Sequence, residues 1–237
     1  LLLYILKDKC SFDRINLKVL KKIGIERNKT VKNILIHGLG QNENSWINVE
    51  KELRKYNIDV KTPNLYAMLK NSLIDYNTLF KNFSDYCNNF DEQINLCGLS
   101  LGGLLALDYT KKFPNKVNSI IIIGVPYKIP KFIFKIQCLI FHIMPKSTFK
   151  GIGLNKADFI SLVNSMNSLE INSMLDKIKC KTLIMCGDND NQNMRSAKLF
   201  NKAIKNSCLK IIKNSSHEVN VDNPKDLSYA ILNFWNK

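Results

Sequence analysis

The sequence predicts an α/β protein: a mostly parallel central sheet with helices on both faces and a small helical cap insertion. Three observations carry that expectation. Short β-branched apolar runs alternate along the chain with longer amphipathic ones, which is the rhythm of βα units. The apolar runs are near-continuous instead of alternating, as strands covered on both faces require. One stretch, from Pro126 to about Lys179, breaks the rhythm between two such runs.

In chain order, strands are expected at Asn33–His37, Ile58–Lys61, Gln93–Cys97, Ser119–Gly124, Lys181–Cys186 and Leu209–Ile212. Upstream, Ile15–Glu26 reads as an additional edge pair with Gly24 near its bend. Helical patterns run over Ser45–Tyr56, Asp75–Asn89, Leu101–Phe113, Arg195–Lys205 and Pro224–Trp235. In the last, Asn223 suits the N-cap and Pro224 the first helical position, where no backbone donor is lost. Leu227, Ile231 and Phe234 then recur at helical spacing and face the sheet. The irregular stretch holds "KFIFKIQCLIFHIM" (Lys131–Met144), Gly151, Gly153 and two helical patterns near Lys156–Met166 and Leu169–Ile178. The expected organisation is a core of residues 1–125 and 180–237, with residues 126–179 inserted as a cap over the sheet's C-terminal edge. Ligands of open parallel sheets bind at that edge.

Composition narrows the function classes. The chain of 237 residues, 45% hydrophobic and 23% charged, is long enough for one large domain with a full core. No segment offers the roughly 20 continuous apolar residues of a membrane span. The opening "LLLYIL" has no basic residues before it and no small-residue cleavage pattern after it, so it does not read as a signal peptide. The start without Met reads as trimmed or non-standard, and a cytoplasmic protein is the expectation. Net charge is +15, yet only four of the 35 basic residues are Arg (Arg14, Arg27, Arg54, Arg195). Base and phosphate recognition favours the Arg fork, so no nucleic-acid partner is expected; weak attraction to an anionic membrane surface is compatible with the charge. Seven cysteines, none paired as C-x-x-C, and three histidines give neither a disulfide framework nor a metal site, and buried free thiols fit best.

The chemistry is concentrated in four places. In "INLCGLSLGGLLAL" (Ile94–Leu107) a strand runs into a Gly-x-Ser-x-Gly-Gly turn and leaves as a helix. Such a turn strains its middle residue, Ser100, and tolerates only small neighbours two residues away, which Gly98 and Gly102 supply. The Ser100 hydroxyl then stands at a helix N-terminus, with the Leu101 N–H aimed at a developing oxyanion. Neither a Walker pattern nor GxGxxG is matched. A serine needs a base, and "KIIKNSSHEVNVDNPKDL" places His217 on a loop after the last strand. His142 lies in the apolar insertion and His37 ends an early strand, so both fit that role less well. The imidazole needs an acid to hold its tautomer. "TLIMCGDND" ends a strand in Gly187 and then carries Asp188 and Asp190, either of which could serve. Finally "LIHGLGQNENSW" (Leu35–Trp46) runs a strand into His-Gly-x-Gly, whose Leu39 N–H would be the second oxyanion donor.

Together these residues resemble the α/β-hydrolase superfamily, in particular its small, capped, esterase-like and lipase-like members. The resemblance covers roughly Asn33 to Trp235 and is carried by "HGLG…W" at 37–46, "GLSLGGLLAL" at 98–107, "VNSIIIIGVP" at 117–126, "KTLIMCGDND" at 181–190 and "SSHEVNVDNP" at 215–224. It implies a serine hydrolase with Ser100 as nucleophile, His217 as base and, from the fourth place of Gly-x-x-Asp, Asp190 as acid. It implies Leu39 and Leu101 in the oxyanion hole, supported by His37, Gly38, Gly98 and Gly102, and no metal or organic cofactor. The chain departs from the family at Gln41, where many relatives carry Gly or a small residue, and at Lys181, where Pro often precedes the acid's strand. An Asp nucleophile, a Gly-Gly-Ser-Trp-Gly elbow and a basic residue at Leu104 are not found, which sets aside the dehalogenases, the proline iminopeptidases and the menaquinone-pathway relatives. The substrate expectation is a small-molecule carboxylic ester. The apolar run Phe132, Ile133, Phe134, Ile136, Leu139, Ile140, Phe141, Ile143 and Met144 is buried, lines an acyl pocket or touches lipid; the last two suit an acylglycerol or lysophospholipid ester. A thioesterase or carbon–carbon bond hydrolase with the same triad is the alternative; a non-catalytic binding protein of the same fold is a further one.

Overall fold

The computed structural model describes residues 31–128, 138–149 and 151–236, all within the unit Val31–Lys237. The edge pair expected at Ile15–Glu26, and Phe132, Ile133, Phe134 and Ile136 of the insertion, lie outside the described residues. Among those described, five parallel strands form one sheet in the order β1 (Lys32–Ile36), β2 (Ile94–Leu99), β3 (Val117–Ile123), β4 (Lys181–Gly187) and β5 (Ser207–Ile212). Every side chain of β2 is buried, as is all of β3 except Asn118 and all of β4 except Lys181. Burial at successive positions means both faces are covered, which is why these strands read as continuous apolar runs. Four polar residues of β1, β2 and β3 bond one another: Asn95 donates to Asn33 and accepts from Asn118 and the Ser119 hydroxyl, at 2.7–2.9 Å.

The covering helices are α1 (Ile47–Arg54), α2 (Tyr76–Asn88), α3 (Leu101–Lys112), α4 (138–143), α5 (Lys156–Ser165), α6 (Asn191–Ala203), α7 (Val219–Asp222) and α8 (Pro224–Trp235). α3 lies along β1, β2 and β3, with α2 against it; α1 and α8 pack on each other. α8 starts as its sequence indicates, with the Asn223 side chain accepting from the Asp226 N–H and Pro224 in the first turn. Among the described residues no helix is long and apolar enough to cross a membrane.

Two expected elements differ. Ile58–Lys61 forms a single parallel bridge, Ile34 to Lys61, instead of a strand. Leu35 N–H donates to the Lys61 carbonyl and Lys61 N–H to that of Asn33, both at 2.8 Å. The next ladder donor would be residue 63, which is Pro63 and has no N–H. Leu169–Ile178 is a set of turns ending in a short 3-10 helix, Leu175–Lys177, with Met174 in the left-handed region at φ 53°. Ile171, Leu175 and Ile178 are buried at helical spacing, but Asn172 and Ser173 favour turns over helix interior.

The bridge at Lys61 has a topological consequence. From β1 the chain crosses to one side, pairs Lys61 on β1's outer edge, and returns past β1 to lay β2 on its other side. The connections from β1 and β2 thus leave in opposite directions, which makes the space beyond their C-terminal ends the sheet's switch point. The loop after β1 and the turn after β2 are His37–Gln41 and Ser100.

Candidate active site

Ser100 sits between β2 and α3 with φ 50° and ψ −110°, a region that non-glycine residues enter only when their surroundings force it. The forcing contacts are backbone to backbone. A Cβ on Gly98 would lie 2.2 Å from the Gly102 carbonyl oxygen, and one on Gly102 would lie 2.3 Å from that of Ile36. Ser100 N–H donates to the Ile123 carbonyl at the end of β3 (2.8 Å), and its own carbonyl accepts from Leu104 N–H (3.0 Å). Its side chain makes no capping bond to α3 and is half-buried.

The turn's tie to Ile123 leads to the second group. Gly124, next in the chain and at φ 58°, is packed so closely under His217 that a Cβ there would lie 3.0 Å from both Cε1 and Nδ1 of the ring. His217 and Ser100 therefore flank the same strand end. His217 Nδ1 lies 2.9 Å from Asp190 Oδ2; the ring is half-exposed and the carboxylate buried. Asp190 is also the N-cap of α6, accepting from Asn193 N–H, and the Asn193 side-chain amide reaches both carboxylate oxygens at 3.0 Å. Burial acts to raise the Asp190 carboxyl pKa, but the hydrogen bonds from His217 and Asn193 and the attraction of the ring outweigh it and hold it below the usual carboxylate range. Asp188 lies elsewhere. It accepts from Ser215 N–H at 3.1 Å, which ties the loop after β4 to the loop before His217 and lowers its pKa. The same two loops touch at Gly187, where a Cβ would meet the Ser216 carbonyl oxygen at 2.2 Å.

On the other side of Ser100, His37 is fully buried and its tautomer is fixed. Leu65 N–H donates to Nε2 (3.1 Å), so the proton is on Nδ1, which donates to the Gly38 carbonyl (3.0 Å). Burial lowers its pKa, opposed in part by the Gly38 bond and by Glu43. Gly40 N–H donates to the Tyr66 hydroxyl (3.1 Å), whose pKa burial pushes up to about 12. His37 and Tyr66 thus hold the two ends of the His37–Gly40 turn. Among the described residues neither the Leu39 nor the Leu101 N–H has an acceptor.

No family model matches the chain. It is 21% identical to monoacylglycerol lipase ABHD6 of Mus musculus, over 85% of this chain and 74% of that protein. Among solved structures it is similar to a thermophilic esterase from Thermogutta terrifontis, with TM-score 0.73, 17% identity and coverage of 88% of this chain and 90% of that one. It is also similar to a bromoperoxidase from Bacillus anthracis, with TM-score 0.70, 18% identity and coverage of 88% and 93%. The chain has the α/β-hydrolase fold.

Within this hydrolase fold, the structure brings Asp190 and His217 into direct contact and places both, with Ser100, around the ends of β2, β3 and β4. Of Gly38, Gly98 and Gly102, Gly38 is the least constrained, since a Cβ there would be 3.4 Å from Leu99. Three further residues, Gly124, Asn193 and Asn220, border these groups. Gly124 was visible as the strand-end glycine of "IIIIGVP". Asn193 was visible as the third residue after Asp190, the spacing of a capped first helical turn. Asn220, which pairs with Gln41, carries no local signal.

The described part of residues 126–179 packs through aromatic contacts, Phe159 meeting both Phe141 and Phe149 with ring centroids 5.1 Å apart. The Lys156 ammonium ties α5 to α4 by donating to the His142 and Met144 carbonyls. Asn42 donates to the Gly151 carbonyl at 2.8 Å, joining this region to the loop after β1. Phe141 and Met144 face inward, whereas Leu139, Ile140 and Ile143 are 65%, 47% and 76% exposed. An open depression of about 410 Å³ lined by Asn88, Lys112, Phe113, Pro114, Asn115 and Lys116 lies at the opposite, N-terminal edge of the sheet. It is remote from the groups above.

Proposed function

We propose that the chain is a serine hydrolase that cleaves carboxylic esters through an acyl-enzyme. The observation that carries this reading is the 2.9 Å contact of His217 Nδ1 with the buried Asp190 carboxylate, set beside the strained Ser100 turn. With Nδ1–H donated to Asp190, Nε2 is left as the basic nitrogen. His217 Nε2 takes the hydroxyl proton as Ser100 Oγ attacks the acyl carbon, and the carbonyl π electrons move onto oxygen. Asp190 stabilises the imidazolium, while the N–H groups of Leu39 and Leu101 hold the oxyanion, with the N-terminus of α3 behind the latter. Collapse of the tetrahedral species breaks the bond to the alkoxide, which receives the proton from Nε2. Water, deprotonated by the same nitrogen, attacks the acyl-enzyme and regenerates Ser100.

Residues 126–179 act as the cap over this edge, joined to the oxyanion turn through Asn42 and Gly151, and admit a small or lipophilic acyl group. The similarity to a monoacylglycerol lipase and an esterase supports an ester as substrate. The free thiols of Cys87, Cys97 and Cys186, all buried, accord with a reducing compartment such as the cytoplasm. The test is labelling by a fluorophosphonate probe. Wild type labels at Ser100, and both Ser100→Ala and His217→Ala lose the label. Full-strength labelling of Ser100→Ala would overturn the assignment. Hydrolysis of p-nitrophenyl and thioester substrates of graded acyl length then separates esterase from thioesterase and reads the pocket.

A further inference from the structure

We propose that Gln41 and Asn220 form a positioning clasp that sets the oxyanion turn against the segment carrying His217. The inference rests on the serine-hydrolase reading above and adds two residues to it. Gln41 follows the His37–Gly40 turn, and Asn220 is three residues past His217 on α7. The two are 179 positions apart in sequence and exchange two hydrogen bonds. Gln41 Nε2 donates to Asn220 Oδ1 (3.2 Å), and Asn220 Nδ2 donates to Gln41 Oε1 (3.1 Å). Gln41 is 6% exposed and Asn220 fully buried.

The remaining bonds of the pair point to both sides of the site. Gln41 Oε1 also accepts, at 3.5 Å, from the N–H of Gly38, the residue before Leu39, and Gln41 N–H donates to the Gly38 carbonyl (3.2 Å). Asn220 Nδ2 spends its second proton on the Ser45 carbonyl (3.1 Å). Both oxygens of the pair and both Asn220 protons are thereby used. On the other side, Asp222 of the same α7 accepts from Ser216 N–H (2.7 Å) and the Ser216 hydroxyl (2.5 Å), one residue before His217. Hydrogen bonds and short stretches of chain together therefore link the Leu39 turn through Gln41 and Asn220, along α7 to Asp222, and through Ser216 to its chain neighbour His217. α7 is four residues long and is bonded at once to both loops that must stay in register.

The chemistry needs that register. An oxyanion donor is worth its contribution only at the place where charge develops, and a displacement of ~1 Å forfeits about 10²-fold in rate. The side-chain amides of Gln41 and Asn220 touch neither the nucleophile nor the base; they act by holding backbone.

The test compares four proteins on p-nitrophenyl butyrate, with thermal unfolding of each and the affinity of phenylboronic acid as a mimic of the tetrahedral species. Gln41→Ala lowers kcat by about 10-fold, one half of the logarithmic loss for a ~1 Å displacement, with KM within about 2-fold, and weakens the boronate in parallel. Gln41→Asn with Asn220→Gln exchanges the amides, keeps the summed side-chain length and recovers most of kcat. Gln41→Leu with Asn220→Leu removes both amides together, so neither is left facing a lone partner; the Gly38 N–H and the Ser45 carbonyl each lose a bond, thermal unfolding reads that cost, and kcat stays low because the directional bonds are gone. If Gln41→Ala does not fold, the double-leucine and exchanged proteins decide alone. Wild-type kcat in Gln41→Ala or in the double-leucine protein would overturn the clasp and leave the pair as packing. A wild type that neither hydrolyses the ester nor takes the fluorophosphonate label would instead overturn the serine-hydrolase reading.

Discussion

Gly124→Ala isolates the contact between β3 and the His217 ring. Gly124 is at φ 58°, and a methyl built there stands 3.0 Å from Cε1 and Nδ1 of His217 and 3.4 Å from Asp190 Oδ2. Two separable effects follow. Holding Ala in the left-handed region costs about 1–2 kcal/mol, which for a chain of this size lowers Tm by about 2–8 °C. The ring must also retreat by about 0.4 Å to restore ordinary van der Waals contact, and at roughly 10²-fold per ~1 Å of misplacement that lowers kcat/KM by about 5- to 10-fold. Gly151→Ala is the control for strain alone, because Gly151 is at φ 89° with nothing within 4 Å of the added methyl: it carries backbone strain without approaching the His217 ring. The assay is initial-rate hydrolysis of p-nitrophenyl butyrate beside differential scanning calorimetry of both variants. If Gly124→Ala loses stability like Gly151→Ala but keeps kcat/KM within about 2-fold of wild type, the His217 ring is not where the reaction uses it.

Asp190→Asn removes the acceptor of the His217 Nδ1 proton and lowers kcat by roughly 10³–10⁴-fold, the scale of losing the tautomer-holding acid in a serine triad. Asp188→Asn, whose carboxylate bonds the Ser215 N–H, keeps kcat within about 3-fold; equal losses in the two variants would refute the distinction. Asn193→Ala withdraws donors from Asp190 and lets its pKa rise. A carboxyl depressed in the folded state stabilises above its unfolded pKa and loses that contribution as pH falls through the folded one. The variant therefore unfolds at a higher pH on acid titration followed by circular dichroism, and an unchanged or lower midpoint refutes the role. His37 has its pKa lowered chiefly by burial, so the unfolded chain takes up a proton near pH 6.5 before the folded one does. Stability then falls as pH drops below about 6.5. His37→Gln flattens the Tm-versus-pH curve between about pH 7 and 5 while lowering Tm at neutral pH, and a slope equal to wild type would exclude His37 as its source.

What could be read from the residues followed from how local each signal is. β2, β3 and β4 are buried on both faces, so their own composition announces them. The Ser100 turn is announced by Gly98 and Gly102, because the clashes that exclude other residues there arise within a few residues of the serine and from the neighbouring strand. Asp190 is also the N-cap of α6, so the helix starts at Asn191, four residues before the amphipathic pattern that begins at Arg195. Ile58–Lys61 looked like a strand because the apolar pattern does not register that Pro63 lacks the next ladder donor. The turns at 171–174 defeat a helical pattern whose apolar spacing is nonetheless kept for burial.

The polar scaffold around the site is the part that no window of sequence contains. Gln41 and Asn220 each look like ordinary turn chemistry, and Asn is abundant throughout this chain. Their meaning arises only when the sheet closes residue 41 on one side and residue 220 on the other over the same edge. Gln41 stands where many proteins that the chain resembles carry Gly or a small residue, which by itself suggests a looser oxyanion turn. The structure points the other way. The larger side chain reaches past the turn to an amide that is otherwise buried without a partner for its oxygen, and the two exist in this chain as a pair. A small residue at 41 with Asn220 retained would leave that oxygen unsatisfied, at a cost of about 1–3 kcal/mol. Replacing Gln41 alone by Gly or Ala should therefore harm this protein more than replacing both.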